Sequence, residues 1–144
     1  MANSVLQSRR GPIWPLGSIV VVTPGTPVNL MSLVDPTSVN APQTATPGTA
    51  GADEYTVKCN QIIIQGVKSN AGTGLANNTG NIYLILKGKG SNNRTDTGCI
   101  VVTIAAGQTF ILAPSAQNAE VFNPYLLFLD ADNANDAGQV TLII

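Results

Sequence analysis

The chain has 144 residues, of which 44% are hydrophobic and only 10% are charged, and it carries a formal net charge of −1 and no histidine. This length fits one domain with a hydrophobic core. The missing histidine argues against Ser-His or Cys-His catalysis and against a zinc site, and the near-neutral charge argues against nucleic-acid binding. We therefore expect a protein that is not an enzyme, with no catalytic residues, no metal site and no cofactor.

Short β-branched runs, bounded by Gly, Asn, Pro and Ser clusters, recur along the chain and predict strands rather than helices. Strands are predicted at residues 18–23, 28–32, 55–66, 81–87, 99–104, 109–112, 125–130 and 139–144. The pattern predicts an all-β fold: a single-domain β-sandwich or a jelly-roll-like barrel of about eight antiparallel strands, with an extended N-terminal arm.

Several predicted strands are continuous apolar runs, such as IVVV, IYLIL, IVVTI and YLLFL. A continuous run indicates that both faces of a strand are covered. In a domain this small, we expect another subunit to cover one of those faces. No run of about 18 apolar residues is present, so no membrane span is expected, and the N-terminal residues lack the apolar stretch of a secretory signal.

Residues 1–17 are predicted to form an arm that precedes a sandwich domain at residues 18–144. Prolines favour an extended course here and disfavour a central strand. The arm is either a frayed terminus or a segment that orders on a neighbouring protein. In the second case Arg9 and Arg10 would supply hydrogen bonds and Trp14 an apolar anchor.

A second unusual segment is the Pro/Thr/Ala-rich stretch at residues 34–54, VDPTSVNAPQTATPGTAGADE. Loops of this length are uncommon in compact domains and are usually either functional or disordered. Both interpretations stay open from the sequence. In the functional one, the loop bridges to a partner, and Pro36, Pro42 and Pro47 are its candidate contact residues.

The stretch DADNANDAG, at residues 130–138, could be a calcium loop, a catalytic carboxylate cluster or a turn. An EF-hand loop starting at Asp130 would need Asp or Asn, Gly and Glu where Ala134, Asn135 and Thr141 stand. The simpler prediction is a turn between two strands, in which Asp and Asn bond their own backbone and Gly138 supplies a positive φ. Its acids are then expected to serve backbone geometry and solubility.

Other candidate sites are weaker. GKGSNNRTDTG lacks the spacing of a phosphate-binding loop, and no predicted helix follows it, so it indicates a hairpin turn. Nearly all acids fall in predicted turns, which disfavours a glycosidase pair. Cys59 and Cys99 lie in apolar strands, where buried thiols are expected; a disulfide between neighbouring strands stays open if the compartment is oxidising.

Five short elements, found between Gly17 and Ile144, carry a resemblance to a known family: GTPV at a strand start, YTVKCNQIII, GNIYLIL, AAGQTFIL and FLDA before the last strand. Together they resemble small β-sandwich structural proteins of tailed bacteriophages, which are capsid decoration (cement) proteins or other minor virion components. The segments 1–17 and 34–54 look like additions to that pattern.

The resemblance implies a virion protein on the outer surface of the capsid, which binds between major capsid protein subunits and stabilises the head. It also implies a homo-oligomer, with a trimer favoured, and no nucleic-acid or membrane partner. The alternative is a receptor- or carbohydrate-binding β-sandwich of a phage tail or fibre, which would use its Asn/Asp/Gly loops as hydrogen-bonding sites.

Overall fold

The computed structural model describes residues 13–33, 59–70, 72–86, 94–95, 99–113 and 123–143. These residues form strands and one 3-10 helix, Pro124–Leu126: β1 Ile13–Val21, β2 Val28–Asn29, β3 Gln61–Gln65, β4 Val67–Asn70, β5 Gly74–Asn77, β6 Ile82–Leu86, β7 Ile100–Ile104, β8 Thr109–Leu112, β9 Leu127–Ala131 and β10 Asp136–Ile143. The predicted all-β fold class is confirmed. Within these ranges no helix has the length and hydrophobicity needed to cross a membrane.

Two four-stranded antiparallel sheets make up the body of the domain. The first sheet has the strand order β1-β10-β3-β8, and the second sheet has the order β2-β9-β6-β7. β4 and β5 form a separate antiparallel hairpin between β3 and β6. Both sheets turn alternate residues towards one shared core, as a sandwich requires.

The pairing of strands defines the topology. Four antiparallel pairs are nested in the sequence: β1 with β10, β2 with β9, β3 with β8, and β6 with β7. Two further pairings, β10 with β3 and β6 with β9, join these pairs into the two sheets. Nested pairing of this kind defines the jelly-roll topology, in which one long antiparallel hairpin is folded over into two packed sheets. The described strands therefore form the jelly-roll version of the predicted fold.

The core is built from aliphatic side chains that alternate along each strand. Its fully buried members include Ile19, Ile62, Ile64, Val140 and Leu142 from the first sheet and Ile82, Leu84 and Leu129 from the second. The period of two in IIIQ and VTLI places these residues on the inner face and their neighbours on the outer face. Burial of each such side chain contributes about 1.5–3 kcal/mol of transfer free energy.

Strand boundaries differ from the predicted ones where prolines and polar residues stand. β1 begins at Ile13 rather than at residue 18 and accommodates Pro15, because β1 is an edge strand and its register shifts between Pro15 and Gly17. The prediction at 125–130 begins in the 3-10 helix, which Asn123 caps by accepting a hydrogen bond from the Tyr125 amide at 3.2 Å.

Gly138 has a different role from the predicted one. Within the described residues, the left-handed conformation in this turn belongs to Asn135, with φ 66°, and Gly138 is not among the residues with positive φ. Gly138 instead lies in β10 against the core. A Cβ atom there would stand 2.7 Å from Leu129 Cδ1 and 3.1 Å from Ile64 Cγ2, so only glycine fits without a shift.

We expect Gly138→Ala to lower the free energy of unfolding by about 1–3 kcal/mol, the usual cost of overpacking a core. Urea denaturation of the two proteins measures this change. Combining Gly138→Ala with Leu129→Ala removes the atom that the new Cβ meets, so the loss in the double variant should be smaller than the sum of the single losses. Strict additivity would contradict the close contact.

Candidate functional site

The turn between β9 and β10 carries the chain from the second sheet to the first. β9 ends at Ala131, β10 begins at Asp136, and residues 132–135 make the turn. The strand–turn–strand prediction for DADNANDAG is therefore confirmed. The turn is held by hydrogen bonds to other segments: the Asn135 amide donates to the Val21 carbonyl at 2.8 Å, and the Asp132 amide to the Asn81 carbonyl at 3.0 Å.

Asp136 is completely buried at the start of β10. Its carboxylate accepts hydrogen bonds from the amides of Thr79 and Gly80, both at 2.9 Å, and from the Thr79 hydroxyl at 3.0 Å, and it pairs with Lys68 Nζ at 3.0 Å. Burial alone would raise the pKa of Asp136, but these hydrogen bonds and the Lys68 ammonium outweigh it and hold the pKa below its ordinary value.

Asp130 is the second fully buried carboxylate, one residue before the end of β9. Its Oδ1 accepts from the amides of Gly25 and Ala131, both at 2.8 Å. Its Oδ2 lies 3.2 Å from Arg94 Nε, an ion pair whose geometry falls short of a hydrogen bond. The two buried acids thus each have one cation, and each cation comes from a distant segment.

Arg94 also contacts two further side chains. Its Nη1 pairs with Asp132 Oδ1 at 3.0 Å, and its guanidinium carbon lies 4.4 Å from the centre of the Tyr83 ring. The Tyr83 hydroxyl donates to the Asp132 carboxylate at 2.9 Å. A planar guanidinium suits this combination of stacking and pairing better than an ammonium would.

These two ion-pair groups use all five charged residues in the described part of the chain: Lys68, Arg94, Asp130, Asp132 and Asp136. Asp130 and Asp136 therefore neutralise cations inside the fold, which corrects the expectation that they serve solubility. No group of three or more acids, cysteines or histidines in those ranges is placed to hold a metal ion.

The outer face of the first sheet is a second candidate surface. Its outward residues form cross-strand rows that the pairing register defines: Ile13, Ile143 and Gln61; Pro15, Thr141, Ile63 and Ile111; Ser18, Gln139, Gln65 and Thr109; Val20 and Ala137. None of them is charged. Ile13 and Ile111 keep more than half of their surface exposed, 55% and 53%. The face is therefore uncharged and partly aliphatic, and its last row is partly covered, since Ala137 is fully buried.

The second sheet does not offer such a face. Ile85 and Phe128 point away from the core on β6 and β9, yet Ile85 is fully buried and Phe128 nearly so. Asp130, on the same face, is covered by Arg94. Among the described residues, the outward Ile85 and Phe128 are thus closed to a partner and Val101 of β7 is half-buried, whereas Ile13 and Ile111 of the first sheet are exposed.

The residues predicted to contact a partner lie largely elsewhere. Arg9, Arg10, Pro36, Pro42 and Pro47 are outside the described residues, so their predicted role stays a prediction. Trp14 lies in β1, half-buried, and packs against the core of its own domain. Its role as an anchor for a partner also stays a prediction, for the part of the indole that the core leaves exposed.

The sequence analysis expected another subunit to cover one face of the continuous apolar runs, but IYLIL, IVVTI and YLLFL contribute to β6, β7 and β9 of the second sheet, and the outer face of the first sheet was not singled out. The signal was present: the strands QIIIQ, TFIL and QVTLI have no charged residue at any outward position.

Both cysteines are present as thiols in the structure. Cys59 is buried, and burial raises its pKa to about 11, so little thiolate forms at neutral pH, as expected of a structural thiol.

Comparison of the chain with models of protein families, with curated proteins and with solved structures gives no match.

We expect Arg94→Ala to lower the free energy of unfolding by about 2–4 kcal/mol, because it leaves the buried Asp130 carboxylate without its cation. The estimate lies slightly below the range for a fully buried pair, since a quarter of the Arg94 side chain, 25%, is exposed. Adding Asp130→Asn removes the uncompensated charge and should restore part of the loss. An unchanged urea midpoint for Arg94→Ala would contradict this role.

The lowered pKa of Asp136 predicts a specific pH dependence. The unfolded chain binds a proton at the ordinary aspartate value of about 3.9, whereas the folded protein binds it at lower pH. The stabilisation is therefore complete above pH 5 and is lost as pH falls through the folded pKa. Asp136→Asn should flatten the fall in melting temperature below pH 5, whereas Asp132→Asn, at a half-exposed carboxylate, should retain it. A steep fall that survives in Asp136→Asn would contradict the assignment.

Proposed function

We propose that this protein is a structural protein of a virus particle, a decoration protein that binds between major capsid protein subunits and stabilises a phage head. The observation that carries this proposal is the open, uncharged outer face of the first sheet. No step of the proposed function requires a catalytic residue or a cofactor.

A protein partner can cover such a face at low cost. Burying charges requires their desolvation, which is expensive unless each charge is paired. The first sheet presents only aliphatic, Gln, Ser, Thr and Pro side chains outward, and its single charged residue, Asp136, is already buried and paired with Lys68. The face therefore suits contact with another protein surface rather than with nucleic acid or lipid headgroups, whose recognition uses cationic side chains.

The size of the face indicates a weak individual contact. Four strands about 4.8 Å apart, with between four and nine residues each at about 3.3 Å per residue, cover roughly 400 Å². A stable interface between two proteins buries about 800 Å² on each partner. A shell that offers many equivalent sites can still bind such a protein firmly where several contacts act together.

The mechanism follows from mass action. A protein that binds the assembled shell and not its separated subunits adds its binding free energy to the stability of the assembly. Many copies on the outer surface then raise the temperature at which the shell opens. The jelly roll supports the proposal only as an architecture that viral capsid domains share with lectins, since a fold alone does not define a function.

The receptor- or carbohydrate-binding alternative has no specific observation in its favour. It would use Asn/Asp/Gly loops as binding sites. In the described turn between β9 and β10, the carboxylates of Asp130, Asp132 and Asp136 are occupied by Lys68, Arg94, Tyr83 and backbone amides. A sugar or cation at this turn would have to displace those partners.

The first test is the copy number of the chain in purified particles, measured by quantitative mass spectrometry against the shell protein. We expect a fixed, high ratio to the shell protein. A handful of copies would indicate a tail component, and absence from particles would overturn the proposal. A rise in melting temperature with calcium or sugars would instead favour the binding-module alternative.

The second test places a charge on the outer face. Ile63 lies in its middle row, so Ile63→Lys should weaken binding to particles that lack the protein by roughly tenfold or more, because the lysine must be desolvated in the contact. Val22→Lys, at a residue 66% exposed and outside the first sheet, is the matched control. Equal binding of both variants, with the fold intact by circular dichroism, would contradict the assignment of this face.

A further inference from the structure

The four edge strands of the sandwich are protected very differently. An exposed edge offers unpaired amides and carbonyls to any other strand, and proteins usually block it with prolines, bulges, charges or short strands. On one side of the sandwich, β1 carries Pro15 and a register shift, and β2 has two residues. On the other side, neither β7, with the sequence IVVTI, nor β8, with the sequence TFIL, has a proline, a charge or a register shift.

We propose that the β8 edge is a self-association site, at which β8 of one molecule pairs antiparallel with β8 of a second copy. Of the two unprotected edges, β8 is the one that belongs to the first sheet, so pairing there brings two uncharged outer faces together. In the described part of the chain, β8 is the last strand of the first sheet, after β1, β10 and β3. The pairing joins two first sheets into one continuous sheet across a two-fold axis. This contact is separate from the proposed shell contact and is tested without virus particles.

A second copy is the occupant because the edge is self-complementary. Thr109, Phe110, Ile111 and Leu112 are all uncharged and have high strand propensity or bulk, so no like charges oppose each other across the axis. An isologous contact needs only one surface that matches itself, which is the commonest way in which soluble proteins form oligomers.

Symmetry also fixes the register. Residues directly opposite each other in an antiparallel pair project to the same side of the sheet. Ile111 projects outward, in one row with Ile63. We therefore place the two-fold axis so that Ile111 of one copy lies opposite Ile111 of the other. Both outer faces then lie on the same side of the joined sheet. The second copy also covers the Ile111 side chain, which is 53% exposed in one molecule.

The dimer also enlarges the uncharged face. The outer faces of two first sheets lie side by side, so their area of roughly 400 Å² doubles to roughly 800 Å². The edge contact itself is small against the roughly 800 Å² per partner of a stable interface, so the dimer should form in a concentration-dependent manner. A two-fold contact of this kind gives a dimer on its own, in contrast to the trimer that the sequence resemblance implies.

The test is the solution mass of the full chain by light scattering and sedimentation, at concentrations up to about 1 mM. We expect the mass to rise from the 14.9 kDa of one chain towards twice that value. Ile111→Lys should weaken the association by roughly tenfold or more, because two lysines would face each other across the axis. Ile63→Lys, in the middle of the sheet, and Val22→Lys, outside it, should leave the dimer unchanged.

A cross-link checks the register and keeps the test decisive if the lysine variant does not fold. Opposite residues of an antiparallel pair have Cα atoms about 4.5–5.5 Å apart, within the span of a disulfide. Ile111→Cys should therefore give a covalent dimer on oxidation, while Val22→Cys and the wild-type chain, which retains Cys59 and Cys99, should not. A monomer at every concentration, a trimer, equal disruption by Ile63→Lys, or no specific cross-link at Ile111 would each overturn the proposal.

Discussion

The fold depends on two buried carboxylates next to the turn between β9 and β10, because each of them binds groups from other segments. Asp130 and Asp136 are both without solvent exposure, and they stand just before and just after the turn that carries the chain between the sheets. A buried charge is tolerated only when it is paired and hydrogen-bonded. Lys68, from β4, and Arg94, from the segment between β6 and β7, supply the pairing, and amides of Gly25, Thr79 and Gly80 supply the hydrogen bonds. The connections at this end are thus held together by charge.

The same arrangement explains the character of the surface. Every charged side chain in the described ranges takes part in the two ion-pair groups, so none remains for the outward positions of the first sheet. In the described ranges the charged side chains lie around the turn between β9 and β10, and the aliphatic residues alternate along the strands. The outer face of the first sheet is therefore weakly hydrated, and another protein can displace that water at low cost.

The sequence predicted the features that depend on local patterning. Short β-branched runs bounded by turn residues predicted eight strands, and the boundaries of β8 were predicted to the residue. The β4–β5 hairpin was missed, because VKSN and GLAN contain few β-branched residues and resemble a polar loop.

The ion pairs could not be predicted from the sequence. Lys68 and Asp136 are 68 positions apart, and only the nested pairing of strands brings them together. The role of Gly138 was predicted wrongly for a related reason. Glycine is required there because the Leu129 side chain of the facing sheet leaves no room for a Cβ atom, and no local sequence pattern reveals that contact.

The two proposed contacts of the first sheet act in different directions, and this makes them compatible. Pairing at the β8 edge extends the sheet in its own plane, whereas covering the outer face acts along the normal to that plane. One molecule can therefore make both contacts at once, and the edge contact leaves the face of each partner open. The protected edge at β1, with Pro15 and its register shift, stops the extension on the opposite side. Within the described strands of the first sheet, association through β8 then closes at two molecules, because an isologous contact occupies the β8 edge of both copies and β1 is protected.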